Sequence, residues 1–361
     1  MIPVTKPFLP PIEEYQQLIA DIWQRQWLTN NGPLVNELEL KLKGYLNVPH
    51  LLFLNNGTIA LQIAIKALEL TGEIITTPFS YVATTSSIAW EGCKPVFVDI
   101  DKDTLNIDAG KIEKAITPNT SAILATHVYG NPCDIELIQS IAKKHNLKVI
   151  YDAAHCFGTL YKGKSVFTYG DISTTSFHAT KLFHTIEGGA VFCSNPELLK
   201  KMSFMRNFGH NGPDHFEEIG INGKNSEFHA AMGIVNLKHV SSILDTRKKQ
   251  HALYQKWLTH ASIKFPNITN STEYNFAYCP IILENEAMTL TIIKALEENW
   301  ISPRRYFHPS LNTVPIYKAE AAPVSESLSK RIICLPLYHT LTNSEIDFIC
   351  RIILRTLNHQ K

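Results

Sequence analysis

Lys181 stands in SFHATKLFHTIEGGA (residues 176–190), with apolar Phe177, Leu182 and Phe183 around it and a Gly188-Gly189 pair after it. A lysine in apolar surroundings loses part of the hydration that keeps it protonated, and its amine can then form a Schiff base with an aldehyde. A lone lysine equally fits a solvated surface group, so its company decides. Upstream, Asp152 in IYDAAHCFG closes a strongly apolar run, where a carboxylate is costly to desolvate unless a cation or donor meets it. Capping the next helix is the competing reading of Asp152. His155 in the same run has no second His or Cys at ligand spacing, so no metal is expected.

In NNGTIAL, Gly57 lets the chain turn out of a strand and Thr58 opens a helix whose first amides have no internal partner, a ready anion site. A plain turn and helix cap fits the same residues, and the GK[ST] ending of a nucleotide-binding P-loop is missing. TPFSYVAT adds two aromatic faces, Phe79 and Tyr81, in a loop that follows a strand. A helix start for a phosphate, a carboxylate for a pyridinium nitrogen, an amine for an aldehyde and an aromatic face for a ring are together the needs of pyridoxal phosphate.

These residues need a scaffold that brings strand ends together. HLLFLNN, EIITTP, KPVFVDI, SAILATHVYG, LKVIYDA, DISTTSF and GGAVFCS read as strands. TIALQIAIKALEL, YVATTSSIAWEG, DAGKIEKAI and DIELIQSIAKKH read as helices between the first five of them. The alternation predicts a largely parallel sheet covered by helices on both faces, with ligands at the carboxyl ends of its strands. After Ser194 come helical NPELLKKMSFMRNFG, a polar loop over 209–225 and helical periodicity to about residue 261. Beyond about residue 263, NFAYCPIIL and RIICLPL read as strands, and MTLTIIKALEENW and SEIDFICRIILRTL as helices. The expected division is a large cofactor-binding domain over 1–240 and a small α+β domain over 241–361, linked by a long helix near 241–261.

Composition excludes several classes. With 361 residues, 45% of them hydrophobic and 19% charged, the chain has the balance of a soluble globular protein. A net charge of +1 and no dense Lys/Arg run give no footprint for nucleic acid. Seven cysteines without a CxxC pair argue against a disulfide framework or a zinc ribbon and for a reducing cytosol. No export-signal pattern and no run of about 18 apolar residues is present, so the expectation is a cytoplasmic protein with no membrane partner.

NNGTIAL, TPFSYVATTSSI, VFVDID, YDAAHCFG, SFHATK with EGGA, GINGKNSEFHAAMG and LPLY, in that order over about residues 25–355, resemble the DegT/DnrJ/StrS family of sugar aminotransferases. The resemblance implies an α/β, aspartate-aminotransferase-like fold (fold type I). It also implies a homodimer with shared active sites and pyridoxal 5'-phosphate carried on Lys181, alternating with pyridoxamine 5'-phosphate. Asp152 would pair with the pyridinium nitrogen, His155 would lie near the ring 3-hydroxyl where many relatives carry Gln, and Tyr81 would stack on the ring. Gly57, Thr58 and Ser176 would hold the phosphate, and Asn222 would reach the phosphate in the neighbouring subunit. GINGK replaces the commoner GYNYR and leaves the role of Lys224 open. His184, Glu187, Lys224, Tyr306, Phe307 and His308 are candidate substrate contacts. Shaping the turn fits His184 and Glu187 as well, and loop packing fits the RRYFHPSLN residues as well.

Within the family, the lysine segment and TPFSYVATTSSIAWEG look most like enzymes that aminate C4 of a dTDP-linked 4-keto-6-deoxyglucose. Their amino donor is L-glutamate, released as 2-oxoglutarate, and the product feeds O-antigen, lipopolysaccharide or another surface glycan. A 3-keto or UDP-linked sugar, a sugar dehydratase (which carries His in place of the lysine) and a non-enzymatic sensor that kept the fold are the alternatives.

Overall fold

A computed structural model describes residues 1–317 and 319–358. Each of the seven strand readings forms one strand: β1 (His50–Leu54), β2 (Glu73–Thr76), β3 (Lys94–Phe97), β4 (Thr120–Thr126), β5 (Lys148–Asp152), β6 (Ile172–Ser176) and β7 (Gly189–Cys193). They make one sheet in the order β1-β7-β6-β5-β4-β2-β3. Pairings from β6 through to β3 are parallel, whereas β7 runs antiparallel to both β6 and β1. The sequence reading anticipates the parallel majority and not this reversal. Between β6 and β7 lies only the Lys181 turn, with no crossover helix, so the returning strand can pair only antiparallel.

Period-2 alternation splits the sheet into two faces. Leu52, Leu54, Ile74, Leu124 and Val191 pack on helices Gly57–Ala67 and Pro196–Met205. Phe53, Ile75, Ile123, Tyr151 and Phe192 pack on helices Pro33–Leu46 and Glu227–Leu237. The sequence reading places no helix before residue 50, yet Ile12–Arg25 and Pro33–Leu46 form there. The second is fixed by Glu227, whose buried carboxylate accepts from Leu34 N at 3.0 Å and Val35 N at 2.9 Å, taking two amides that the helix cannot satisfy itself. The long periodicity expected to residue 261 resolves into two helices, Glu227–Leu237 and Val240–Trp257.

A second sheet, antiparallel, joins Ile263–Lys264, Cys279–Leu283 and Ile332–Leu335. Helices Glu286–Glu298 and Asn343–Asn358 close its own core around Ile281, Ile292, Ile333 and Ile349. The chain between its first two strands returns to the large sheet's side. There Thr272–Glu273 pairs with Leu160–Tyr161, and Asn275 Nδ2 donates to the carbonyls of His155 (2.7 Å) and Phe157 (3.0 Å). A further apolar cluster, with Phe79, Tyr129, Phe307, Ile332 and Cys334, joins the two parts. All seven cysteines are buried and unpaired. Among the described residues, no helix is long and apolar enough to cross a membrane.

Candidate active site

Gly57 stands at the first turn of its helix with no positive φ, so its glycine character answers a close approach and not a special dihedral. A Cβ there would lie 2.9 Å from Ser176 Cβ, below any relaxed contact. Gly189 is equally constrained, since a Cβ would come within 2.7 Å of the Gly57 nitrogen. Two glycines therefore let the start of a helix, the end of β6 and the start of β7 meet. The helix cap is Asn56, a residue the sequence reading does not single out: its Oδ1 accepts from Ile59 N at 2.8 Å, and its carbonyl accepts from Ala60 N at 3.2 Å. Gly57 and Thr58, the first two residues of the helix, precede those bonds and line a cleft together with Ser176. This is a cradle for an anion.

The cleft has a volume of about 330 Å³ and opens at the carboxyl ends of β4, β5 and β6. Asp152, 7% exposed, ends β5 at its floor. Its Oδ2 accepts from Thr84 Oγ1 at 2.6 Å, and its Oδ1 from Ala154 N at 3.1 Å. Thr84 belongs to a chain of hydroxyls, with Ser80 Oγ at 2.8 Å from Thr84 and 3.0 Å from Thr126 Oγ1. Burial pushes the Asp152 carboxyl above its ordinary pKa, and the Thr84 and Ala154 hydrogen bonds and the Lys181 charge pull it back. A buried carboxylate held by two donors and facing a cavity is suited to a cationic nitrogen.

Lys181 follows β6 in a tight turn closed by Lys181 N donating to His178 O (2.8 Å), while Thr185 N donates to Phe177 O (2.9 Å). Phe177, Leu182 and Phe183 are buried beneath it. Desolvation lowers the pKa of the Lys181 ammonium, against the opposing pull of Asp152 and then of Tyr306 and Tyr81. That shift favours the free amine a nucleophile needs.

His155, also 7% exposed, accepts at Nδ1 from Tyr129 N at 3.1 Å, which leaves the proton on Nε2. Its ring lies parallel to Phe307 at 5.8 Å and tilted against Tyr278 at 4.7 Å. Burial, with the Lys181 charge as a smaller cause, holds the imidazole pKa well below its ordinary value, so it is neutral.

Tyr81, Glu187, Tyr306 and Phe307 line the same cleft. Of the two aromatic faces offered by TPFSYVAT, Tyr81 is exposed at the cleft and Phe79 is buried in the apolar cluster. Several expected residues lie elsewhere. His184 is buried with both ring nitrogens engaged, Nε2 donating to Phe8 O at 2.7 Å and Nδ1 accepting from Ile186 N at 3.2 Å, so it shapes the turn and does not face the cleft. His308 is exposed outside it. Asn222 is exposed, its carbonyl accepting from Asn55 Nδ2 at 3.2 Å, and Lys224 sets its ammonium over the Phe208 ring at 4.6 Å; neither lines this chain's cleft.

Sequence reasoning misses Asn56, Ser80, Thr84, His178, Thr180 and Tyr278, all of which line the cleft. Ser80 precedes the cap of helix Val82–Trp90, which carries Thr84, so no helix-face spacing marks the pair in the sequence. Nothing in the run around Tyr278 marks it. Among the described residues, no group of three or more His, Cys, Asp or Glu is arranged to hold a metal.

The sequence matches the model of the DegT/DnrJ/EryC1/StrS aminotransferase family over residues 11–354. It is 43% identical to a Shigella dysenteriae protein named dTDP-4-amino-4,6-dideoxy-D-glucose transaminase, over 96% of each chain. The fold superposes on the crystal structure of DesI in the presence of its TDP-sugar product with a TM-score of 0.93 and 30% identity, over 100% of this chain and 96% of that one. It also superposes on the PLP form of Spr1654 from Streptococcus pneumoniae, described as a sugar aminotransferase, with a TM-score of 0.92 and 26% identity over 99% of both chains. A lysine, a buried aspartate and a helix start in one cleft agree with these likenesses, and the chain belongs to the DegT/DnrJ/EryC1/StrS aminotransferase family.

Proposed function

We propose that the protein uses pyridoxal 5'-phosphate to move an amino group from L-glutamate to C4 of dTDP-4-keto-6-deoxy-D-glucose, giving dTDP-4-amino-4,6-dideoxyglucose. The observation that carries the substrate is the full-length similarity to the Shigella transaminase. What supports the cofactor is the fit of the cleft: two helix-start amides beside Ser176 for a phosphate, Asp152 held for a cationic nitrogen, and Lys181 biased toward its free amine. When bound, the cofactor supplies an electron sink that makes the donor Cα–H acidic.

The chain's own residues do the rest. Lys181 would hold the cofactor covalently and would serve as the base and acid that moves the donor Cα proton. Asp152, oriented by Thr84, would keep a proton on the ring nitrogen. His155, neutral and with its proton on Nε2, would donate to the ring hydroxyl. Tyr81 would cover the ring face, and Gly57, Thr58 and Ser176 would hold the phosphate; all four line the cleft. Glu187, Tyr306 and Phe307, which line the cleft, would contact the sugar, and His308, outside it, would not.

Asn222 would reach the phosphate site of a second copy in a homodimer, as the family likeness implies; Lys224, like it, lies outside the cleft of its own chain, and its role stays open. The proposed domain boundary is 240/241, at the start of helix Val240–Trp257, whose Tyr254 joins the second core. Incubation with L-glutamate and a panel of dTDP- and UDP-linked 3- and 4-keto sugars, read by NMR of the product, tests the reading. A C4 amine on the dTDP sugar is expected; an amine at C3, a UDP product or no 2-oxoglutarate contradicts it.

A further inference from the structure

Two walls face each other across the cleft. One carries Ser176, His178, Thr180 and Lys181 from the large sheet, and the other carries Tyr278, Tyr306 and Phe307 from the part that holds the second sheet. Residues 2–8 are bonded to both. On the second wall's side, Ile2–Pro3 pairs in parallel with Ile301–Ser302, shortly before Tyr306, and Ile2 N donates to Trp300 O at 2.7 Å. Leu337 N donates to Val4 O at 3.0 Å, and Lys6 Nζ lies 4.9 Å from the centre of the Tyr338 ring. Val4 packs on the apolar cluster that contains Phe307, and Ile2 on the core of the second sheet.

On the lysine's side, Thr5 Oγ1 donates to Thr180 O at 3.4 Å, next to Lys181. Three residues beyond Lys181, His184 donates from Nε2 to Phe8 O at 2.7 Å. His184 is 2% exposed, its ring fixed by Ile186 N and its carbonyl held at 2.9 Å by Asn236 Nδ2 from helix Glu227–Leu237. The Phe8 ring sits between His239 (5.2 Å) and His339 (5.0 Å), one from each side of the cleft.

We propose that residues 2–8 are a strap that sets the distance between the Tyr306–Phe307 wall and Lys181, and that His184 is the positioning residue anchoring it to the lysine turn. Segments bonded to two walls at several points transmit displacement from one to the other, because neither wall can shift without breaking hydrogen bonds that are costly to leave unmade, main-chain bonds on one side and side-chain bonds to carbonyls on the other. His184 acts through the strap and touches no reacting atom. The kinetic consequence rests on the aminotransferase reading above; the mechanical coupling does not.

Hydrogen exchange of the intact protein, without any substrate, tests the coupling. Removing residues 2–4 leaves Thr5, His184 and the lysine turn untouched in sequence, yet should at least roughly double exchange in the peptide spanning 176–186. His184→Leu should likewise raise exchange in the peptide spanning 301–310. His184→Gln, whose amide can still donate to Phe8 O, should stay near the wild-type pattern. Wild-type exchange in the far peptide of either altered protein, or equal disturbance by Gln and Leu, overturns the proposal.

In turnover, His184→Leu should raise the KM for the keto sugar about tenfold, the cost of one buried hydrogen bond, with a smaller change in kcat. A kcat loss with unchanged KM overturns the positioning role. A wild-type protein that aminates no sugar but shows coupled exchange leaves the strap standing and refutes only the reaction.

Discussion

The two walls of the cleft are built by opposite means. The large-sheet wall is polar and dimensionally tight: a helix start meets Ser176 only because residues 57 and 189 lack a Cβ, and Asp152 is held by one hydroxyl and one amide. The facing wall is a stack of rings, with Tyr278 and Phe307 bracketing His155 and Tyr306 set edge-on to Tyr278 at 5.7 Å. Backbone approach and charge placement admit one residue type at each position, whereas apolar area is supplied by many residue types of about the same volume. The first wall should therefore fail abruptly on substitution and the second gradually.

The largest expected effect is at the tight wall. Lys181→Ala should reduce turnover about a thousandfold, the range lost with a general acid and base, while the chain still folds and takes up pyridoxamine phosphate. Steady-state rates with L-glutamate check this, and retained turnover would erase the contrast.

Asp152→Asn should follow, cutting donor Cα proton exchange about a hundredfold through loss of the ring-nitrogen partner. Its stability effect has the opposite sign. The folded-state pKa of Asp152 is raised by burial, so between the ordinary carboxylate value and that raised value the folded state binds more protons than the unfolded. Stability therefore falls as pH rises through this window and stays lowered above it. Cofactor-free Asp152→Asn should be at least as stable as wild type near neutral pH and flatter in acid, by denaturant titration across pH. A loss of stability at neutral pH in the variant would mean that the Thr84 and Ala154 bonds outweigh burial.

Gly57→Ala comes next. Its Cβ would press on Ser176 and push the helix start from the hydroxyl, costing about 1–3 kcal/mol of fit. Phosphate-ester or cofactor affinity, by equilibrium titration, should weaken by about tenfold or more. The smallest effect belongs to the ring wall. Phe307→Leu, close in volume, should cost under about 1.5 kcal/mol in stability and change sugar KM only a few-fold. A collapse as large as that of Gly57→Ala would refute the graded picture.

The same contrast explains what could be read from the sequence. Residue types with few physical roles were legible: a lysine among phenylalanines, an aspartate closing an apolar strand, a glycine at a strand-to-helix turn, and each lines the cleft. The seven strands were legible because buried β-branched runs alternate with helical periodicity. Tyr278 was not, since a tyrosine in NFAYCPIIL looks like any strand aromatic and only the return of residues 267–275 to the large sheet brings it beside His155. His184 misled for the converse reason: proximity in sequence to Lys181 suggested a ligand contact, but its ring turns to Phe8, a pairing 176 residues apart that no local pattern encodes.

The central claim is that the tight wall singles out Lys181 as the covalent anchor. Protein reconstituted with pyridoxal 5'-phosphate, reduced with borohydride and digested, should carry the label on Lys181 alone by peptide mass spectrometry, and prior addition of L-glutamate should prevent the labelling. Label on another lysine, or labelling of Lys181 that glutamate leaves unchanged, would contradict the account.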